Sequence, residues 1–209
     1  MIGYRNSILR LSHYRRCLRQ FQELGYTRVF SENLGQAAGV SAVQVRKDFS
    51  SFGLVGRRKG GYIISELLDK INQILKKDKI EKVILVGAGN LGSALLKYRG
   101  FEKESIKIVA AFDADPAKTG KRGDIPVYPM EKIFSFVREN GIRVAILTVP
   151  ESVAQDVGER LVSAGIRGIL NFSPVTLRLP ERIIISHINL AVELEHLVYY
   201  VHAGTTKAL

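Results

Sequence analysis

The chain is 209 residues long, 46% hydrophobic and 24% charged, with a formal net charge of +11 at pH 7. That composition fits a globular protein and excludes a fibrous or wholly disordered one, and the length suits one large domain or two small ones. No apolar run approaches the roughly 20 residues needed to cross a bilayer, and the start, Met1-Ile2-Gly3-Tyr4-Arg5, lacks the apolar core of a signal peptide. One cysteine, Cys17, cannot form an internal disulfide and cannot by itself build a zinc site. The expectation is a cytoplasmic protein with a structural thiol, no metal and no membrane partner. The charge is uneven: residues 1–80 hold 15 basic and 6 acidic side chains, against 16 and 14 in residues 81–209. A basic first part joined to a nearly neutral second suggests a polyanion partner for the first, or else a solubilising basic surface.

In chain order, Ile8, Leu11, Tyr14, Leu18, Phe21 and Leu24 recur every three or four residues and predict a first helix, which Gly25 stops. Ser31 begins a second, short helix that ends at Gly39, and Ser41 is a natural cap for a third over 42–51. That third helix buries Val45 and Phe49 and leaves Gln44, Lys47 and Ser51 on another side, spaced three and four apart. Helix, tight turn and capped helix is a pattern that fits the major groove of DNA, where Gln and Lys reach base edges or phosphates. Gly56-Arg57-Arg58-Lys59-Gly60-Gly61-Tyr62 then reads as a basic hairpin, a wing able to touch the flanking backbone. The competing reading is a solvated helix followed by a charged turn. Residues 66–76 return to a helical pattern, and the polar stretch Lys76-Lys77-Asp78-Lys79 marks a boundary.

After residue 80 the pattern changes kind. Apolar strands at Val83–Val86, Ile106–Phe112, Val144–Val149, Gly168–Phe172 and Ile183–Ile188 alternate with helices at 90–99, 130–139 and 151–164. Near-continuous apolar strands separated by helices predict an α/β fold with a parallel sheet covered on both faces. A last helix, about 190–202, carries Leu190, Leu194, Leu197 and Val201 as a stripe that packs on its own sheet or on a second subunit.

The first strand runs straight into Gly87-Ala88-Gly89-Asn90-Leu91-Gly92, a G-x-G-x-x-G turn followed by a helix. The second strand ends in an acid, Asp113, 21 residues beyond Gly92. This is the dinucleotide-binding arrangement: Gly87 for the tight turn, Gly89 for close approach of a pyrophosphate, Gly92 for helix–strand packing, and Asp113 for ribose hydroxyls. A 2′-phosphate would set charge against Asp113, so NADH and NAD+ are favoured over their phosphorylated forms. Thr148-Val149-Pro150 and Asn171-Phe172-Ser173-Pro174 follow strands and either line the nicotinamide side, through Thr148, Pro150 and Asn171, or are plain turns. A small NAD-dependent dehydrogenase is the alternative of another class. It lacks room for a substrate domain; His13, His196 and His202 fall on helices, and His187, at a strand end, is the one histidine placed to approach a cofactor, or else a structural one. A nucleotide-binding scaffold whose basic part meets protein or membrane is a third.

The motifs Val45-Arg46-Lys47-Asp48-Phe49, Phe52-Gly53, Gly61-Tyr62, Gly87–Gly92, Phe112-Asp113-Ala114-Asp115-Pro116 and Gly165 through Pro174 together resemble the Rex family of redox-sensing transcriptional repressors, over nearly the whole chain. The resemblance implies a winged-helix DNA-binding domain at 1–79, a Rossmann NAD(H)-binding domain at 80–188, and a swapped dimerisation helix and tail at 189–209. It implies a homodimer on two-fold-related half-sites of double-stranded operator DNA, released when NADH binds. The implied DNA contacts are Ser41, Gln44, Arg46, Lys47, Ser51, Arg57, Arg58 and Lys59. The cofactor set is Gly87, Ala88, Gly89, Asn90, Leu91, Gly92, Asp113, Thr148, Pro150 and Asn171. The implied switch is Arg16, Tyr98 and Asn189, with no catalytic residue. Two positions depart from the family pattern: Lys59 stands where the wing commonly has glycine, and Asn189 where some members carry an aspartate paired with the arginine matched by Arg16.

Overall fold

The computed structural model describes residues 2–57 and 60–203. Contacts divide the chain into two compact units that part between Lys79 and Ile80.

In the first unit, helix α1 (Ile2–Glu23) is followed by strand β1 (Arg28–Val29), helices α2 (Ser31–Ala38) and α3 (Ala42–Ser51), strand β2 (Tyr62–Ile63) and helix α4 (Ile64–Ile74). The apolar stripe of α1 places Leu11, Tyr14, Cys17 and Leu18 in a core with Leu34, Val45, Phe49, Leu67 and Ile71. Leu24 lies beyond the helix end and is exposed, so the stripe stops one step earlier than its spacing suggests. Burial pushes the Cys17 thiol pKa up, and its Sγ lies against the Ala37 carbonyl, as a structural thiol should. The α2–α3 turn is a close one: Gly39 takes the left-handed conformation, and a Cβ on Gly35 would strike the Val40 carbonyl oxygen at 2.7 Å. Ser41 Oγ then accepts from Gln44 N (3.1 Å), a cap worth about 1 kcal/mol. β1 and β2 pair antiparallel, Arg28 opposite Ile63 and Val29 opposite Tyr62. At the wing base, Arg57 N–H donates to the Gly61 carbonyl and Arg28 Nη1 to the Gly60 carbonyl. Gly61 is left-handed, and a Cβ there would meet Val29 O at 2.6 Å.

The second unit runs β3 (Glu81–Val86), α5 (Asn90–Lys97), α6 (Gly100–Lys103), β4 (Ile106–Asp113), β5 (Gly120–Arg122), β6 (Ile125–Pro129), α7 (Ile133–Asn140), β7 (Val144–Leu147), α8 (Glu151–Ala164), β8 (Gly168–Asn171), β9 (Ile184–His187) and α9 (Leu190–His202). Its seven-stranded sheet has the order β5-β6-β4-β3-β7-β8-β9. All neighbours are parallel except β5, which pairs antiparallel with β6. That hairpin is absent from the purely parallel sheet the strand pattern predicts. Pro126 and Pro129 disguise β6, because proline in an apolar run argues against a strand. Alternate residues of β3 serve the two faces. Ile84 and Val86 pack with Ile133, Val137 and Leu161 of α7 and α8, and Val83 and Leu85 with Leu96 of α5. Strand order reverses at β3, which has β4 on one side and β7 on the other. This is the switch point where open α/β sheets hold ligands at the carboxyl ends of their strands.

Candidate cofactor cleft and nucleic-acid interface

A cleft of about 590 Å3 opens at that switch point, within the usual range for small-molecule sites. Gly87, Gly89, Asp113, Thr148 and Pro150 are among the residues that line it. Gly87 has φ +101°, and a Cβ there would reach Thr148 O at 2.7 Å. Gly92 is buried with its α-carbon turned to the Gly87 carbonyl, too close for any Cβ. Gly89 differs from both, since a Cβ on it would meet no protein atom within 4 Å. Gly89 thus borders open space at the N-terminus of α5, where free amides and the helix dipole favour an anion. That open cradle beside a carboxylate fits a dinucleotide.

Asp113 is buried, with Oδ2 accepting from Ala88 N (2.7 Å) and Oδ1 from Asp115 N (2.8 Å). It therefore holds the glycine turn in shape as well as facing the cleft. Lys118 Nζ stands 3.6 Å from Asp113 Oδ1 and 3.7 Å from Asp115 Oδ2. Thr148 Oγ1 donates to the Gly87 carbonyl (2.7 Å), tying the β7 end to the same turn. Ala88 is buried, and Asn90 and Leu91 are exposed on the first turn of α5. Asn171 does not open onto the cleft. It is fully buried: its Oδ1 accepts from Ser173 N, and its Nδ2 donates to Val175 O and contacts His187 Nδ1. A side chain so completely engaged by its own turn shapes the end of β8. Sequence reasoning missed Lys118, Met130 and the α8 face Val153, Asp156, Val157 and Arg160. The α8 residues share one helical face by their three-and-four spacing, a signal that was present but carried no motif.

The outward surface of α3 is differently drawn from the expected trio. Val43 (66% exposed), Lys47 and Ser51 face solvent. Val43 was not singled out from the sequence, although an apolar group at a groove-facing position can meet a thymine methyl. Gln44 is half-buried and donates its amide to Asp48 Oδ1 (2.9 Å). Arg46 is held by Ser31 Oγ and Glu32 of α2 at 2.9 and 3.0 Å, and Ser51 Oγ donates back to the Lys47 carbonyl. Ser41 caps the helix, and Arg57 is exposed at the wing base. Arg58 and Lys59 lie outside the described residues. Arg16 is exposed on α1, Tyr98 is 60% exposed after α5, and Asn189 caps α9 with Oδ1 accepting from Ala191 N and Val192 N.

The chain is 45% identical over 199 residues to a redox-sensing transcriptional repressor Rex from Listeria welshimeri, covering 95% of this chain and 93% of that one. It belongs to the Rex family. A Rex repressor from Carboxydothermus hydrogenoformans is 44% identical over 194 residues, covering 92% and 93% of the two chains. Two family profiles match parts of the chain, one described as a CoA binding domain at residues 78–175 and one as a putative DNA-binding protein N-terminus at 5–50. Among solved structures, RSP in complex with beta-NADH has a TM-score of 0.85 at 35% identity, covering 95% and 94% of the two chains. RSP in complex with beta-NAD+ and operator DNA has a TM-score of 0.86 at 34% identity, covering 97% of each. RSP is described as a Rex-family repressor.

Proposed function

We propose that this Rex-family protein is a transcriptional repressor that binds operator DNA and releases it when NADH binds, so that its occupancy of DNA follows the NADH/NAD+ ratio. One observation carries this: the match to Rex repressors spans both units at once, the helix-turn-helix and the cleft. The homologue held with NADH and the one held with NAD+ and operator DNA share this fold over nearly its whole length. No observation favours a dehydrogenase.

On this reading Gly89 and the α5 N-terminus take the pyrophosphate, and Asp113, with Lys118 beside it, takes the adenosine ribose. Reduced nicotinamide is uncharged and the oxidised ring is cationic, so the two forms differ in what surrounds them favourably. Lys47, Val43 and Gln44 meet the major groove from α3, with Arg57, Arg58 and Lys59 on the flanking backbone. The protein acts as a homodimer, a reading supported by α9: none of its residues is buried, and Leu194, Leu197, Tyr199 and Val201 are all more than half exposed. Arg16, Tyr98 and Asn189 form the switch. Asn189 Oδ1 is already taken by two helix amides, which leaves only its amide N–H groups, donors alone, for any further partner.

Titrating NADH and NAD+ into the purified protein–operator complex tests the function. NADH should release the DNA at a lower concentration than NAD+. A complex indifferent to both would refute the proposal.

A further inference from the structure

Asp48 is an internal residue of the helix proposed to read DNA, yet it is 2% exposed. Its two oxygens collect four donors. Arg10 Nε and Nη2 donate to Oδ2 and Oδ1 at 2.6 and 2.7 Å, Tyr14 OH donates to Oδ2 at 2.8 Å, and Gln44 Nε2 donates to Oδ1 at 2.9 Å. Burial pushes this carboxyl upward, but the hydrogen bonds from Arg10, Tyr14 and Gln44 outweigh it and hold the group below the ordinary carboxylate range. At neutral pH Asp48 is therefore ionised and can only accept. The neighbouring rings lock it in place, with Tyr14 edge-on to Phe49 at 5.5 Å and Phe49 edge-on to Tyr62 at 5.0 Å.

An acceptor-only group dictates how the Gln44 amide lies. Turned over, the amide would set its carbonyl oxygen against a carboxylate oxygen. The orientation that remains spends one N–H on Asp48 and leaves Gln44 with one acceptor, Oε1, and one N–H. That pair complements adenine, whose major-groove edge offers the N6 amino donor and the N7 acceptor. Guanine presents two acceptors, O6 and N7, and would face Oε1 with an oxygen.

We propose that Asp48 is a specificity-determining positioning residue, which fixes the Gln44 amide in one orientation so that α3 selects adenine over guanine at the base pair Gln44 meets. The proposal rests on α3 being the DNA-reading helix. Asp48 itself touches no base. Its effect on base choice passes through one neighbour, one helical turn back.

The test uses the full-length protein and operators selected from a random duplex library. Each half-site position is then replaced by all four base pairs and the affinities are compared by competition. The position whose preference collapses in Gln44→Ala is the one Gln44 reads, and wild type should favour adenine over guanine there by about tenfold or more. Asp48→Asn presents an amide that can turn either face to Gln44. In that variant the adenine-over-guanine ratio should fall by about five- to tenfold at this position, with the other positions unchanged. An unchanged ratio, or a uniform loss at every position, would overturn the proposal. Should Asp48→Asn fail to fold, wild type still decides: by NMR, one Gln44 side-chain amide proton should lie downfield, exchange slowly and move as Asp48 titrates in acid. Two averaged, solvent-like amide protons would overturn the proposal equally. A wild type with no base preference anywhere would instead remove α3 as the reading helix, which is a distinguishable failure.

Discussion

A Cβ at Gly89 would enter open space, and the backbone there is extended, not left-handed. Gly89→Val should therefore fold normally while filling the cradle. We expect NADH affinity to drop at least a hundredfold by calorimetry, with the melting temperature within a few degrees of wild type. Retained binding would move the pyrophosphate elsewhere. Asp48 makes a different claim, on stability. Its folded-state pKa is depressed, so its contribution is present above the unfolded value of about 3.9 and is lost as pH falls through the lower folded value. Asp48→Asn should cost roughly 1–3 kcal/mol at pH 7, the lower part of that range being favoured because Arg10 stays 27% exposed and can be rehydrated. Hydrogen exchange of α1 and α3 amides should show wild type losing protection below about pH 4 more steeply than the variant. Parallel acid limbs would mean that Asp48 is not the titrating group.

Helix α3 combines a buried side, Val45, Asp48 and Phe49, with an outward one that holds Val43, Lys47 and Ser51. Lys47 is the free cation of that surface among the described residues, because Arg46 is committed to Ser31 and Glu32. A phosphate contact from Lys47 releases about one counterion, so Lys47→Ala should weaken operator and non-specific DNA alike and lower the salt slope of log K by about one. An unaltered slope would remove Lys47 from the backbone contact. A purely base-specific loss would make it a base reader instead.

Helix α9 has no buried residue and exposes apolar side chains over most of its circumference, far more than a lone soluble helix sustains. A second copy of the chain is the proposed cover. Leu194→Glu combined with Leu197→Glu should turn a sedimenting dimer into a monomer and weaken operator binding by the loss of paired half-site contacts. The fold of the second unit should persist, since both side chains are more than half exposed and neither belongs to a core cluster of the described residues. A wild type that already sediments as a monomer would end the dimer proposal.

The local chemistry was legible early. The spacing of Leu11, Tyr14 and Leu18, the Ser41 cap, Gly39, the glycine turn and Asp113 each follow from rules that act over a few residues, where steric freedom and helical period leave few choices. Family membership was legible for the same reason, because those short motifs occur together in one order. Several features needed the folded chain. Asp48, a charged residue in a helix, gives no sign of burial until Arg10 and Tyr14, 38 and 34 residues away, close on it. Asn171 follows an apolar strand as a cleft residue would, and only its turn partners and His187 show that it is spent internally. The β5–β6 hairpin hid behind two prolines that an edge pair tolerates. Lys118 and the α8 face reach the cleft through strand order, not through sequence neighbours. Local periodicity records which side of an element is buried. Which distant donor meets a buried charge depends on how the elements pack, and pairwise contacts across 30 or more residues leave no period in the chain.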